Sequence, residues 1–182
     1  MLILVKMVKY IFLVFLIFLS SNVIAENYGN WLQSSFVDEF GDETEDKFIA
    51  ISTSDGKFSN SATQNSNLMV SILLAKKHLN RPVMTFYEYG SNPVQGYYTD
   101  GHKYTCKMKN SKKELYNIGL YLGKDSQLFV IQEPVEEKFF LSWLEQEEYI
   151  KFYCFNNDLK TQEYKFELDM TGFNSSMDLM LN

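Results

Sequence analysis

Apolar residues recur at every second position in run after run of this chain, and that period restricts its fold more than any other feature. Ile150, Phe152 and Cys154 alternate with Lys151, Tyr153 and Phe155, and Tyr164, Phe166, Leu168 and Met170 alternate with Lys165, Glu167 and Asp169. Successive side chains of a strand point to opposite faces, so each run reads as a strand with one face in a core. Tyr104, Cys106 and Met108 repeat the pattern, as do Tyr116, Ile118, Leu120 and Leu122; Leu68–Ala75 is apolar on both faces and reads as a central strand. Turn signals divide the runs. Ser54-Asp55-Gly56 closes an expected strand at Lys47–Thr53, and Asp100-Gly101 between Tyr97-Tyr98 and Lys103-Tyr104 predicts a hairpin. Trp31 is the anchor expected at the start of the core. One helix is expected to begin at Pro134, with Val135, Phe139, Phe140, Trp143 and Leu144 on its apolar face, and to stop near Glu147. The tail after Gly172-Phe173 suits a short helix carrying Met177, Met180 and Leu181. Together these predict an all-β fold: an antiparallel β-sandwich of about eight strands with one late α-helix packed on it.

The first 25 residues have the plan of a secretory signal. Lys6 and Lys9 precede the apolar run Tyr10–Leu19, and Ser20-Ser-Asn-Val-Ile-Ala25 supplies small residues before a cut. The run is shorter than the ~20 residues a membrane-spanning helix needs, so a cleaved signal at 1–25 and one domain at 26–182 are expected. No second run is long enough to span. The expected location is secreted or periplasmic. Cleavage removes two lysines and no acidic residue, leaving a domain more acidic than the −6 of the whole chain. A domain of that charge, with no lysine or arginine stripe in its sequence, is expected to be repelled by nucleic acid, anionic lipid and polyanions. Cys106 and Cys154 both lie in expected strands. In an exported protein they are either bridged, closing a loop worth about 4 kcal/mol, or two buried thiols.

Two polar stretches stand apart from the scaffold. Asp38-Glu-Phe-Gly-Asp-Glu-Thr-Glu-Asp46 holds six acidic residues in nine and reads as a loop. Asp38, Glu39 and Asp42 are candidate binding residues, but the order of a twelve-residue Ca²⁺ loop is missing, so no metal is assigned. Lys57–Asn67 is nearly all Ser, Asn, Thr and Gln; here Ser59, Asn60, Ser61, Thr63 and Asn65 are candidates for holding a polar ligand or for turn chemistry of their own. A third candidate is the aromatic stretch Phe86-Tyr-Glu-Tyr89 with Tyr97-Tyr98, which suits a partner surface or cross-strand packing. Catalysis finds little. His78 and His102 are the only histidines, no nucleophile motif occurs, and the two His and two Cys are scattered, so neither enzyme activity nor a cofactor is expected.

At Asp38-Glu-Phe-Gly-Asp42 and Phe58-Ser-Asn-Ser-Ala-Thr-Gln-Asn-Ser66 the chain resembles a family of small exported bacterial proteins, many of them predicted lipoproteins, that carry similar elements in the same order. Glu88-Tyr-Gly90 and the ending Tyr164-Lys-Phe166 through Gly172-Phe173 are similar to that family's pattern too. Here Glu43-Thr44 stands where a proline often follows the second Asp, and no lipid-bearing Cys follows the signal. The resemblance implies export and assigns no catalytic or binding residue. The resulting expectation is a non-catalytic binding or adaptor module of the cell envelope for a protein, peptide or small polar ligand. The alternatives are a structural envelope protein whose motifs lock strand connections, and a hydrolase.

Overall fold

The computed structural model describes residues 26–78, 81–97 and 100–182; the expected signal segment 1–25 and Tyr98 and Thr99 of the expected hairpin lie outside them. Eleven strands form: β1 Glu26–Tyr28, β2 Trp31–Val37, β3 Glu43–Ser59, β4 Ser66–Ala75, β5 Val83–Glu88, β6 Asn92–Pro93, β7 His102–Asn110, β8 Leu115–Leu122, β9 Phe129–Ile131, β10 Tyr149–Asn156 and β11 Glu163–Asp169. The helices are α1, Pro134–Gln146, and α2, Phe173–Leu181. The all-β class is as expected, but the sandwich is not. β3, β4, β5, β9, β8, β7, β10 and β11 pair in that order, all antiparallel, and β11 returns to β3, so the sheet closes as an eight-strand barrel.

The length of β3 makes the closure possible. Its first half pairs with β2, from Val37↔Glu43 to Leu32↔Ala50, while its last residues pair with β11 at Lys57, Phe58 and Ser59. β4 runs beside both halves. Between them the register shifts at Thr53/Gly56, where a turn was expected. Gly56 is a close approach instead: a Cβ there would meet the Leu68 carbonyl oxygen at 2.8 Å. The Asp55-Gly56 pair is therefore a bulge that bends a continuous strand. Asp100-Gly101 also differs from expectation, since among the described residues β7 pairs with β8 and β10 and with no strand before it. The acidic stretch is only partly loop, because Glu43–Asp46 already belong to β3.

Even positions of the late strands face inward, as their alternation requires. Leu68, Val70, Ile72 and Leu74 of β4 share one buried core with Ile118, Leu120 and Leu122 of β8 and the stacked pair Phe152–Phe166, whose rings lie 4.5 Å apart. An eight-strand ring is just wide enough for side chains to fill it. Each Leu, Ile or Phe so buried contributes about 1.5–3 kcal/mol relative to an exposed position. Cys106 and Cys154 sit opposite each other on β7 and β10, both fully buried, and are bridged.

The two helices close one end. α1 lies between β9 and β10 in the chain and α2 follows β11, so both start or finish at the same rim. α1 buries Phe140, Trp143 and Leu144, and its Phe139 stacks on Tyr116 at 3.6 Å. Val135, expected on that face, is 68% exposed. Trp31 is fully buried, edge-on to Phe173 of α2 at 4.8 Å.

The expected stop of α1 at Glu147 is observed, and its carboxylate is buried. Ser111 donates to Glu147 Oε2 at 2.8 Å, and Lys112 Nζ lies 3.4 Å from Oε1. Burial alone would raise this carboxyl, but the Ser111 hydroxyl and the Lys112 ammonium hold it below the ordinary glutamate range. The unfolded chain therefore takes up this proton at a higher pH than the folded one, and acidification favours unfolding. Stability from Glu147 is fully present above the ordinary glutamate value and is lost as pH falls through the lowered one. Glu147→Gln is expected to be less stable than the parent at pH 7, by about 1–3 kcal/mol, and to flatten the decline below pH 5 in denaturant melts. Parallel pH profiles for parent and variant would remove Glu147 from that role.

Candidate functional site

Opposite the helices, the other rim of the barrel gathers a polar cluster on an aromatic floor. β3 delivers Phe58, β5 ends in Glu88, β7 contributes Tyr104, β10 ends in Asn156, and Gln162 and Tyr164 flank the start of β11. The Tyr104 hydroxyl donates to Gln162 Oε1 at 3.1 Å and Asn156 Nδ2 donates to the same oxygen at 3.0 Å. Gln162 Nε2 donates to the Tyr164 hydroxyl at 2.6 Å, and that hydroxyl donates to Glu88 Oε1 at 3.0 Å. All donors point one way, ending on a half-buried carboxylate, so each bond polarises the next.

The phenols stay protonated. Burial pushes the Tyr104 hydroxyl well above the ordinary tyrosine value, and the Glu88 charge adds to this. For Tyr164 burial is again the main cause, with Tyr104 and Glu88 adding. Beneath them Tyr164 packs on Phe86 at 5.0 Å and Tyr104 on Phe129 at 5.0 Å. Above them stands Tyr89, in the turn after β5. It is 55% exposed, lies edge-on to Phe58 at 4.9 Å, and has φ 55°, followed by Gly90 at φ 79°. Turns normally give such left-handed positions to Gly or Asn, because a bulky side chain there costs about 1–2 kcal/mol.

The candidates from sequence divide between the two ends of β3. Ser59, Asn60, Ser61, Thr63 and Asn65 form the β3–β4 connection at the polar rim. Asn60 Oδ1 accepts from the N–H groups of Ala62 at 2.9 Å and Thr63 at 3.1 Å, Ser59 Oγ accepts from the Asn65 N–H at 3.1 Å, and the Thr63 and Ser66 hydroxyls bond each other. Asp38, Glu39 and Asp42 lie at the far end, in the β2–β3 turn. There Asp38 Oδ1 accepts from the N–H groups of Phe40 at 2.8 Å and Asp42 at 3.0 Å, leaving Phe40 82% exposed at the tip. The two groups are not brought together, and the side-chain oxygens of Asp38, Ser59, Asn60 and Thr63 are engaged within their own turns. Of the aromatic candidates, Phe86 and Tyr87 are buried, while Tyr89 and Tyr97 are exposed.

The cluster contains residues that sequence reasoning did not place in a site, Tyr104, Asn156, Gln162 and Tyr164, and one, Glu88, that lay inside the aromatic candidate stretch without being singled out. The signal available for one of them was Glu88-Tyr89-Gly90. Among the described residues no three His, Cys, Asp or Glu side chains gather as a metal-binding group. What the rim offers is a fixed acceptor, Glu88, beside an exposed ring. Set against known proteins, the chain matches no family model, no curated protein and no solved structure.

Proposed function

We propose that this protein is an exported, non-catalytic binding or adaptor module of the cell envelope, taking a protein, peptide or small polar ligand at the rim opposite its helices. The observation that carries the reading is Tyr89, a large side chain held exposed in a left-handed conformation beside the Glu88 carboxylate. Strain of that kind persists where the surroundings impose it and concentrates at binding positions. Three of the stretches on which the resemblance to exported bacterial proteins rests meet here. Phe58 touches Tyr89, and Glu88 accepts from Tyr164. The export reading rests on the residues of 1–25, and no helix among the described residues is long and apolar enough to cross a membrane.

The test compares parent with Tyr89→Gly on peptide and glycan panels, using protein recovered from an exporting host. Glycine removes the ring and the backbone strain together, so the variant is expected to melt within a few degrees of the parent or above it, yet lose every selected binder about tenfold or more. Intact mass should place the first residue at Glu26. Binders unaffected by the change, or an uncleaved chain retained inside the cell, would overturn the reading. The structural alternative draws on Asp38 and Asn60, whose side chains bond their own turns and would serve to lock strand connections.

A further inference from the structure

The strands β8, β7 and β10 themselves place no acidic residue on their outward face, although the chain as a whole has a formal charge of −6; carboxylates stand at its borders, Glu136 of α1 accepting from the Gly119 N–H at 2.9 Å and Glu163 of β11 accepting from the Tyr153 hydroxyl at 2.7 Å. β7 presents Lys103, Lys107 and Lys109, all exposed, and β10 presents Lys151 between Tyr149 and Tyr153. Pairing sets Tyr153 beside Lys107 and Lys151 beside Lys109. Lysine nitrogens lie over the rings: Lys107 over Phe155 at 5.9 Å and Lys151 over Tyr149 at 5.4 Å. Lys151 also pairs with Glu167 of β11 at 3.1 Å, at the border of the face. Among the described residues, no carboxylate lies within ion-pair distance of Lys103, Lys107 or Lys109. What the sequence does not display is the neighbour set: Lys103, Lys107 and Lys109 share the outward side of β7, and pairing brings Lys151 of β10 beside Lys109.

We propose that this face binds an acidic polysaccharide of the polyuronate kind, a site separate from the rim and independent of that reading. Net charge does not forbid it: at physiological salt charges are screened over about 8 Å, so a polymer in contact feels the face rather than the whole molecule. Charge density selects among polyanions. At about 3.3 Å of rise per residue Lys107 and Lys109 stand about 7 Å apart and Lys103 and Lys107 about 13 Å apart with Thr105 between them, while Lys151 and Lys109 on neighbouring strands are about 5 Å apart. Duplex DNA, with one charge per ~1.7 Å of axis, would press its surplus phosphates against Glu163 and Glu167 on the bordering strand. A polyuronate carries sparser charge, and its sugar rings offer apolar faces to Tyr153 and Phe155 and hydroxyl protons to the Tyr153 oxygen, whose own proton goes to Glu163 at 2.7 Å. An acidic peptide would gain most by pairing with a sheet edge, and the barrel closes β7, β8 and β10 on both sides.

The experiment titrates polygalacturonate against the intact domain at low and physiological salt, with oligo(dT), poly-glutamate and neutral dextran in parallel. Polygalacturonate is expected to bind more tightly than the other three. Binding should weaken about tenfold or more in Lys107→Glu/Lys109→Glu and less in Lys107→Gln/Lys109→Gln, both melting as the parent does, and should fall with salt. Absence of binding at low salt, undiminished binding by the Glu variant, or tighter binding of oligo(dT) or poly-glutamate would each overturn the proposal.

Discussion

Removing the bridge with Cys106→Ala/Cys154→Ala is expected to lower stability by about 4 kcal/mol, the chain-entropy value for a loop of this length. The two cysteines are 48 residues apart in sequence and directly opposed in the β7–β10 ladder, which runs from Ile150↔Asn110 to Asn156↔Tyr104. Between them lie β8, β9 and α1. In the unfolded chain that segment would otherwise let β7 and β10 wander apart, and the ring cannot close until they meet. Both sulfurs are fully buried, so truncation also removes packed atoms from the interior. For a chain of this size the loss corresponds to a fall in Tm of about 8–16 °C. Reductant should act only at temperatures where the barrel opens, since attack on a sulfur requires access. A double variant within about 1 kcal/mol of the parent would mean that the unfolded chain already holds the two strands together.

The strands were legible because period-two alternation needs only local residues, and the late strands β7, β8, β10 and β11 appear where their apolar runs lie. Closure was not. A barrel and a sandwich present the same alternation, and what separates them is whether the edge strands find each other. Here that turned on β3 being long enough to pass from β2 to β11, and on β9 slipping between β8 and β5 rather than β7 following β5. Gly56 misled for a related reason. Glycine marks a turn or a close approach with the same letter, and only Leu68 lying against Gly56 separates the two. The rim shows the same limit. Glu88, Tyr104, Asn156 and Gln162 are ordinary polar residues near strand ends, and their hydrogen-bond chain exists only because β5 and β10 end, and β7 and β11 begin, at one level. Ser59–Asn65 could be recognised as turn-forming, since Asn and Ser bond their own backbone, but which residues they would stand beside could not.

Phe58→Ala is expected to cost about 3–5 kcal/mol, and comparing it with Asn60→Ala separates the two readings of the second motif. Phe58 is 1% exposed, edge-on to Tyr89 and 6.5 Å from the Tyr164 ring, so truncation opens a void under the rim that its neighbours on β11 can only partly fill. Asn60 stands two residues further on. Its side chain accepts two N–H groups of its own turn near the surface, and water can replace both bonds, so Asn60→Ala is expected to cost about 1 kcal/mol. If the motif exists to lock the β3–β4 connection, the Asn60 loss must approach that of Phe58, because the turn would then set the register of the longest strand pair. The binding reading needs the opposite ratio. Phe58 would hold Tyr89 from below, and the polar turn would be a rim whose residues change binding more than folding. Denaturant melts of the two variants, with equal m-values as the check that the unfolded state is unchanged, measure that ratio directly.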